Sequence, residues 1–184
     1  NIVGRQGNET ITGSQGDDRI DGRGGDDTVS GGPGDDTLRG GTGDDMINGG
    51  VDDDVLLGMT GADTLRDGPG VDRLTGGADA DVFVLVADGD RDVVNDFELD
   101  VDTLRLKGTN YAALTITDMS NGNLRIAYGS EVLILRDTGN TLTAALKPGN
   151  GQMLSIRHTA SVAENLEAVT EIVRAANGDF QATA

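Results

Sequence analysis

A period of nine residues runs through the first half of the chain. Residues 4–84 divide into nine consecutive nonapeptides, from GRQGNETIT and GSQGDDRID at the start to GGADADVFV at the end. The eighth position of each copy is a branched aliphatic residue or phenylalanine, and the sixth is always acidic. One large apolar residue in nine is too few for an amphipathic helix, which needs about three or four in every two turns. The repeat therefore excludes a helical array and requires a coil with one inward side chain per copy.

The repeat predicts a stack of short strands joined by glycine-rich turns. Six residues of each copy would form a turn and three a strand whose central side chain points inward. Two copies would complete one coil, which gives two facing apolar stacks. Glycine supplies the positive φ angles of the turn, and Asp52 and Asp79 stand at the fourth position because aspartate tolerates that region. The inward residues are Ile11, Ile20, Val29, Leu38, Ile47, Leu56, Leu65, Leu74 and Phe83.

Acidic charge is concentrated in the same half of the chain. The formal net charge is −18, and acidic and basic residues are equal in number in residues 103–184, so the whole surplus belongs to residues 1–102. Such a segment repels nucleic acid and anionic membranes and needs positive counter-ions. The absence of cysteine and the single His158 disfavour zinc and other transition metals. Magnesium keeps its waters, so carbonyl-rich turns suit it less than calcium.

The copies follow the pattern GGxGxDxUx, which resembles the RTX (repeats-in-toxin) family of Gram-negative secreted proteins over residues 4–84. The resemblance implies an all-β parallel β-roll (RTX β-helix) of nine repeats, with several Ca²⁺ ions held between turns two repeats apart. The implied pairs are Asp18 with Asp36, Asp27 with Asp45, Asp36 with Asp54, Asp45 with Asp63, Asp54 with Asp72, and Asp63 with Asp81. Glu9 with Asp27 departs from the pattern.

The predicted calcium ligands fall into two sets. The sixth-position set is Asp18, Asp27, Asp36, Asp45, Asp54, Asp63, Asp72 and Asp81. The fifth-position set, which either binds the metal or adds local negative potential, is Asp17, Asp26, Asp35, Asp44 and Asp53. We expect the irregular seventh and eighth repeats, with Met59, Ala62, Asp67 and Val71, to hold weaker sites or none.

Calcium should decide whether the repeats fold at all. Neighbouring strands lie about 4.8 Å apart, so equivalent carboxylates in successive coils would repel one another without a cation. A flexible Gly/Asp linker, the alternative interpretation, describes the calcium-free state but does not explain an apolar residue at every eighth position.

Residues 81–106 resemble the segment that closes the roll in RTX proteins, including serralysin-type proteases. The run VFVLV would extend the last strand. Acidic residues of this segment are either further metal sites or solvated loop residues. They are Asp88, Asp90 and Asp92 in one group, and Asp96, Asp100 and Asp102 in another.

The rest of the chain predicts a cap and a tail. The runs ALTITD, NLRIAY and EVLILR alternate as an antiparallel β meander that would cover the open end of the roll. Residues 161–177 predict one C-terminal amphipathic helix, with Ser161 and Glu164 as a capping box. We therefore divide the chain into a roll at 1–84, a closing segment and cap at 85–147, and a tail at 148–184.

No catalytic constellation is visible, since there is one histidine and no HExxH motif. The chain is therefore expected not to be an enzyme. We also expect it to be the carboxyl part of a longer protein, with an upstream domain or an extracellular partner. No apolar run is long enough to cross a bilayer. The resemblance implies a secreted or cell-surface location and type I export, with a signal in the tail.

Two alternatives stay open. The first is a structural or interaction module of an adhesin, surface layer or extracellular assembly. The second is a carbohydrate-binding module attached to an extracellular enzyme, which is disfavoured because the arginines do not recur at one repeat position.

Overall fold

The computed structural model describes residues 1–98, 101–107, 114–119, 123–128, 131–135, 143–146 and 154–157. These residues form strands, turns and bends, and they include no helix. The helix predicted over residues 161–177 lies outside them. Consequently, no bilayer-spanning helix is found in the described part of the chain.

Successive strands of the repeat region alternate between two parallel sheets. The first sheet contains β1 (Ile2–Val3), β3 (Arg19–Gly24), β5 (Thr37–Thr42), β7 (Val55–Thr60) and β9 (Arg73–Ala78). The second contains β2 (Thr10–Thr12), β4 (Thr28–Pro33), β6 (Met46–Val51), β8 (Thr64–Arg66) and β10 (Val82–Val86). Two nonapeptides therefore complete one coil, and the predicted parallel β-roll is confirmed.

The apolar ladder lies between the two sheets. Each strand pairs in register with the strand two repeats later, as in Ile20↔Leu38 and Leu38↔Leu56. Identical repeats favour this register because a slip by one residue would turn the apolar side chain to the opposite face. The eighth-position side chains from Ile20 to Phe83 are at most 1% exposed. The predicted core is confirmed.

Most strands of the repeats have six residues rather than the three predicted, as in β3 to β7 and β9, whereas β2 and β8 have three. Pairing between β5 and β7 continues through the glycine positions, at Gly41↔Met59 and Thr42↔Thr60. The ladder continues there because residues one coil apart share a backbone conformation, with φ of 130° at Gly41 and 91° at Met59. Only residues 43–45 remain for the turn after β5, so the prediction of a six-residue turn was wrong for the long strands and right after β2 and β8. The left-handed geometry predicted for Asp52 and Asp79 is confirmed, at φ of 82° and 81°.

The roll is closed by two further parallel strands. β11 (Arg91–Val94) pairs with β9, and β12 (Thr103–Lys107) pairs with β10. The predicted VFVLV strand is β10 itself. Phe97 follows β11 and packs on Phe83, with ring centroids 5.9 Å apart and both side chains fully buried. The buried ladder continues beyond this aromatic pair, since Leu104 of β12 lies in register with Phe83 and is fully buried.

The antiparallel meander is confirmed as β13 (Leu114–Met119), β14 (Asn123–Tyr128) and β15 (Glu131–Leu135). It continues the first sheet, since β15 pairs in parallel with β11, and Ile126 and Leu133 join the buried core. A hairpin of β16 (Thr143–Leu146) and β17 (Leu154–Arg157) extends the second sheet through an antiparallel pairing of β17 with β12. We had not predicted this hairpin, whose second strand lies in the segment for which only a helix was expected.

Candidate metal centres

Buried aspartates occupy the residue just before each strand of the roll. The seven sixth-position residues from Asp27 to Asp81 are between 0% and 3% exposed. Their place follows from the apolar ladder, because the acid stands two residues before the inward side chain and the buried strand fixes its backbone. We call the sixth-position residues that face each other in successive coils a rung. Asp18, in the outermost rung, is more accessible, with its side chain 13% exposed.

One carboxylate oxygen of each rung is satisfied by the neighbouring coil. The backbone N–H of a sixth-position residue donates to Oδ1 of the sixth-position aspartate two repeats later. Examples are Asp27 to Asp45 at 2.7 Å, Asp45 to Asp63 at 2.7 Å and Asp54 to Asp72 at 2.8 Å. The structure thus brings together every sixth-position pair predicted from the sequence, and it also brings together Glu9 and Asp27, at 2.8 Å.

The second carboxylate oxygen of these residues is buried and has no hydrogen-bond partner. This is so for Oδ2 of Asp27, Asp36, Asp45, Asp54, Asp63 and Asp72. A buried acceptor without a partner costs about 1–3 kcal/mol, and more when it is charged. Six such atoms recur at one position of the repeat, so each rung lacks a positive ligand rather than containing an isolated packing defect.

A backbone carbonyl lies beside the free oxygens of Asp27, Asp36, Asp54 and Asp63. A Cβ on Gly22, at the first position of its repeat, would lie 2.5 Å from Asp27 Oδ2 and 2.6 Å from the carbonyl oxygen of Gly40. Gly31 and Gly58 have the same two neighbours in their own repeats, a sixth-position Oδ2 and a first-position carbonyl of the next coil. Glycine is required here because any side chain would fill the space between the two oxygens. Carboxylate and carbonyl oxygens together are the donor set that Ca²⁺ prefers, so the rungs fit this ion.

Burial makes the rung carboxyls reluctant to ionise without a cation. It raises the pKa of Asp45 to about 6 and the pKa of Asp54, Asp63 and Asp72 to about 7, with nearby aspartates adding to the effect. In the outermost rung, Ser14 lowers the pKa of Asp18 by donating from its backbone N–H and its hydroxyl to Oδ2, at 2.8 and 2.9 Å. The need for a positive ligand is therefore greater away from the first repeats, and it remains so at the last repeat, where burial raises the pKa of Asp81 to about 7.

The fifth-position aspartates lie on the outside of the roll and are exposed. Their carboxylates accept from the backbone N–H one coil further on, as Asp26 does from Asp44 at 3.0 Å and Asp44 does from Ala62 at 2.8 Å. Asp17, Asp35 and Asp53 form the same contact. The structure thus places this set in a hydrogen-bonded outer ladder, and its role as calcium ligand stays a prediction.

The closing segment supplies the last rungs. Asp92 and Asp102 accept from the backbone N–H groups of Asp72 and Asp81, at 3.0 and 2.9 Å, and so take the place of sixth-position residues. Asp96 accepts from the N–H groups of Gly76 and Gly77, at 2.9 and 2.8 Å. Sequence reasoning had grouped these acids only as loop clusters, because the spacing between rungs rises from 18 residues to 20 and 21. Asp100 lies outside the described residues.

The backbone ladder continues through the irregular seventh and eighth repeats. Asp63 and Asp72 are fully buried, and each has the same orphaned oxygen as the regular rungs. Asp67 was named from the sequence only as an irregular residue expected to weaken a site, and not as a ligand. It is fully buried and has a carboxylate oxygen within 4.8 Å of those of Asp72 and Asp92. Its only signal was an aspartate at the first position, where every other repeat has glycine.

The repeat region matches a known family of protein sequences. A family model described as RTX calcium-binding nonapeptide repeat (4 copies) matches residues 3–38, 30–65 and 57–94. Among solved structures, the chain is similar to the extracellular lipase LipA from Serratia marcescens, at 20% identity and a TM-score of 0.38, over 74% of this chain and 37% of the lipase chain. It is also similar to the AlgE6R3 subunit of the Azotobacter vinelandii mannuronan C5-epimerase, at 20% identity and a TM-score of 0.26, over 72% of each chain. No curated protein sequence matches the chain.

Proposed function

Because the chain belongs to the RTX calcium-binding nonapeptide repeat family, we propose that it is a calcium-dependent folding module of a secreted bacterial protein. The family is a structural module whose repeats bind Ca²⁺ and is typical of secreted proteins. In this proposal the repeats are disordered in the cytosol, where calcium is scarce, and form the β-roll outside the cell.

The observation that carries the proposal is the set of six buried Oδ2 atoms without a hydrogen-bond partner. The sixth-position aspartates would hold the ions, together with carbonyls of the first-position residues. Calcium, when bound, supplies the positive charge that allows these carboxylates to stay ionised inside the roll. The aspartates hold the coils in register through Oδ1 and leave Oδ2 for the ion.

The same switch supports export. An unfolded chain can pass through a secretion channel, and folding outside would prevent its return. Extracellular calcium modules bind at about 10⁻⁴–10⁻³ M, so the sites would be empty before export and filled after it. We assign the uncleaved signal for type I export to residues 148–184.

We also propose that this module performs no catalytic step itself. The buried acids of the described residues recur at rung spacing, and this spacing is explained by the ladder rather than by an acid opposing a base. Any catalytic or adhesive domain of the parent protein would lie outside residues 1–184.

A calcium titration of the whole chain, followed by circular dichroism at pH 7.5, tests the proposal. The expected result is a cooperative conversion of coil into β-structure by Ca²⁺, with a much weaker response to an equal concentration of Mg²⁺. Leu38→Asp serves as a control, since a charge in the apolar ladder should prevent the conversion at any calcium concentration. A spectrum that does not respond to calcium would refute the proposed function.

A further inference from the structure

Asp67 breaks the most regular backbone feature of the roll. It stands at the first position of the eighth repeat, where the other eight repeats have glycine. Elsewhere a Cβ at this position would collide with the sixth-position carboxylate and with a carbonyl of the next coil, as it would at Gly22. Asp67 nevertheless has its whole side chain inside the protein, with no exposed surface. A buried acid at this place requires a local reason.

The next coil leaves room for Asp67 because the chain departs there from the nonapeptide path. The rung above Asp72 is Asp92, 20 residues later instead of 18. The backbone N–H of Val86 faces Asp67 and lies 3.0 and 3.1 Å from its two carboxylate oxygens, and the N–H of Gly68 donates to Oδ1 at 2.6 Å. The position that elsewhere faces a carbonyl here faces hydrogen-bond donors, which can hold a carboxylate in place.

Three buried carboxylates meet at this rung. Asp67, Asp72 and Asp92 are at most 2% exposed, and one oxygen of each lies within 4.8 Å of the other two. A second observation points to a ligand, since Oδ2 of Asp72 is buried and has no hydrogen-bond partner. In the regular repeats the corresponding Oδ2 lies next to the place that a first-position Cβ would take. The first-position residue here is Asp67, and one of its carboxylate oxygens lies within 4.8 Å of one of Asp72.

We propose that Asp67, Asp72 and Asp92 form a three-carboxylate cation site at the last rung of this edge, which binds Ca²⁺ more tightly than the repeat sites. The reason is charge, because each repeat rung brings together two sixth-position carboxylates and this rung adds a third. The number of charged ligands is one of the main determinants of affinity in calcium sites. Three ionised carboxylates with oxygens within 4.8 Å of one another repel strongly inside the protein, so bringing them together here requires a cation.

The site would join the repeats to the segment that closes them. Asp67 and Asp72 belong to the eighth repeat, whereas Asp92 lies in β11, which pairs with both β9 and β15. An ion retained here at low calcium would keep the closing strands attached to the roll while the repeat sites empty. The inference rests on the proposed function and refines it by giving the calcium sites unequal affinities.

Ion counting on the full chain tests the inference. The wild type, Asp67→Gly and Asp67→Asn are dialysed against a series of buffered free calcium concentrations at pH 7.5, retained calcium is measured by mass spectrometry, and folding is followed by circular dichroism. Asp67→Gly restores the residue of the other repeats, and Asp67→Asn keeps an acceptor for Val86 and Gly68 without the charge. Asp21→Asn, a ninth-position change in β3 outside both predicted ligand sets, is the matched control.

We expect the wild type and Asp21→Asn to retain about one ion at a free calcium roughly tenfold below the midpoint of the remaining ions. Both Asp67 variants should lose that ion, fold in saturating calcium and keep the midpoint of the others. Release of all wild-type ions at one midpoint, or retention of the tight ion in either Asp67 variant, would overturn the inference. Failure of both Asp67 variants to fold while Asp21→Asn folds would overturn it as well, since the site is proposed to add affinity rather than to be required for folding. Failure of the wild type itself to fold with calcium would instead refute the proposed function.

Discussion

At the scale of the residue, the two oxygens of one carboxylate differ in their hydrogen bonding. Oδ1 of Asp45 accepts a 2.7 Å hydrogen bond from Asp27, and Oδ2 has no partner. Its neighbour Asp44 is exposed and accepts from Ala62 on the outside of the roll. Two adjacent aspartates therefore have different roles, and substitution can separate them.

Asp45→Asn should raise the calcium midpoint of folding by roughly an order of magnitude, because two rungs lose a charged ligand. Asp44→Asn is the matched control and should leave the midpoint within about twofold, since an amide oxygen can still accept from Ala62. Circular dichroism during calcium titration measures both midpoints. Equal effects of the two variants would contradict the division between inner and outer ladders.

Calcium-coupled folding should depend little on pH near neutrality. The rung carboxyls have their ordinary pKa of 3.8 in the disordered calcium-free chain and are ionised in the calcium-bound roll, so few protons are exchanged between about pH 8 and about pH 6. The free calcium at the folding midpoint should therefore stay within about twofold over this range, as measured with a calcium electrode beside the dichroism signal. A midpoint that rises about tenfold on acidification would mean that calcium binds to a roll that is already folded, in which burial raises the pKa of Asp54 and Asp63 to about 7.

Without calcium, the pH should change the stability of the folded roll, which should fall as the pH rises. The folded pKa of these carboxyls lies above the ordinary value of 3.8, so the folded state binds more protons than the unfolded state between these values. Their contribution to stability is present in acid and is lost as the pH rises through about 7. In chelator, β-structure should therefore be greater near pH 5 than near pH 8.

The sequence predicts regular residues better than exceptional ones. The sixth-position pairs follow from an 18-residue spacing that every rung repeats. Asp67 could not be found in this way, because one replaced glycine has no periodic signal. Asp92 and Asp102 were noticed as acids, but their place in the ladder depends on spacings of 20 and 21 residues that only the folded closing segment reveals.

At the scale of the element, the unit of stability is a pair of strands one coil apart. The repeat determines their register, because Leu38 must lie on Leu56 for both to be buried. It did not predict the strand length, since pairing through glycine depends on the neighbouring coil rather than on intrinsic strand propensity. The β16–β17 hairpin was missed because its short strands lack a strong alternating pattern and are positioned by β12.

Leu56→Ala, in the middle of the ladder, should lower the free energy of unfolding in saturating calcium by about 2–5 kcal/mol, because it opens a cavity between the sheets. Met46→Ala, also in a strand but with its side chain 56% exposed, should change it by less than about 0.5 kcal/mol. Urea denaturation at saturating calcium measures both. A small effect of Leu56→Ala would mean that the ladder is not the main core.

At the scale of the whole molecule, a narrow apolar ladder is combined with an acidic exterior and an acidic interior. The ladder is one side chain wide on each sheet, and the rungs beside it carry buried carboxylates that lack a positive partner. Positive charge supplied from solution is therefore part of the fold. In the proposed function, one composition therefore gives a disordered chain without calcium and an ordered roll with it.

Hydrogen exchange across residues 19–78 tests this central claim most directly. The backbone amides of the full chain are followed by mass spectrometry at pH 7.5, once in saturating calcium and once after exhaustive chelation. We expect strong protection of these strands with calcium and exchange at the rate of an unstructured peptide without it. Protection that persists in the chelator would show that the roll holds together without metal and would contradict the account.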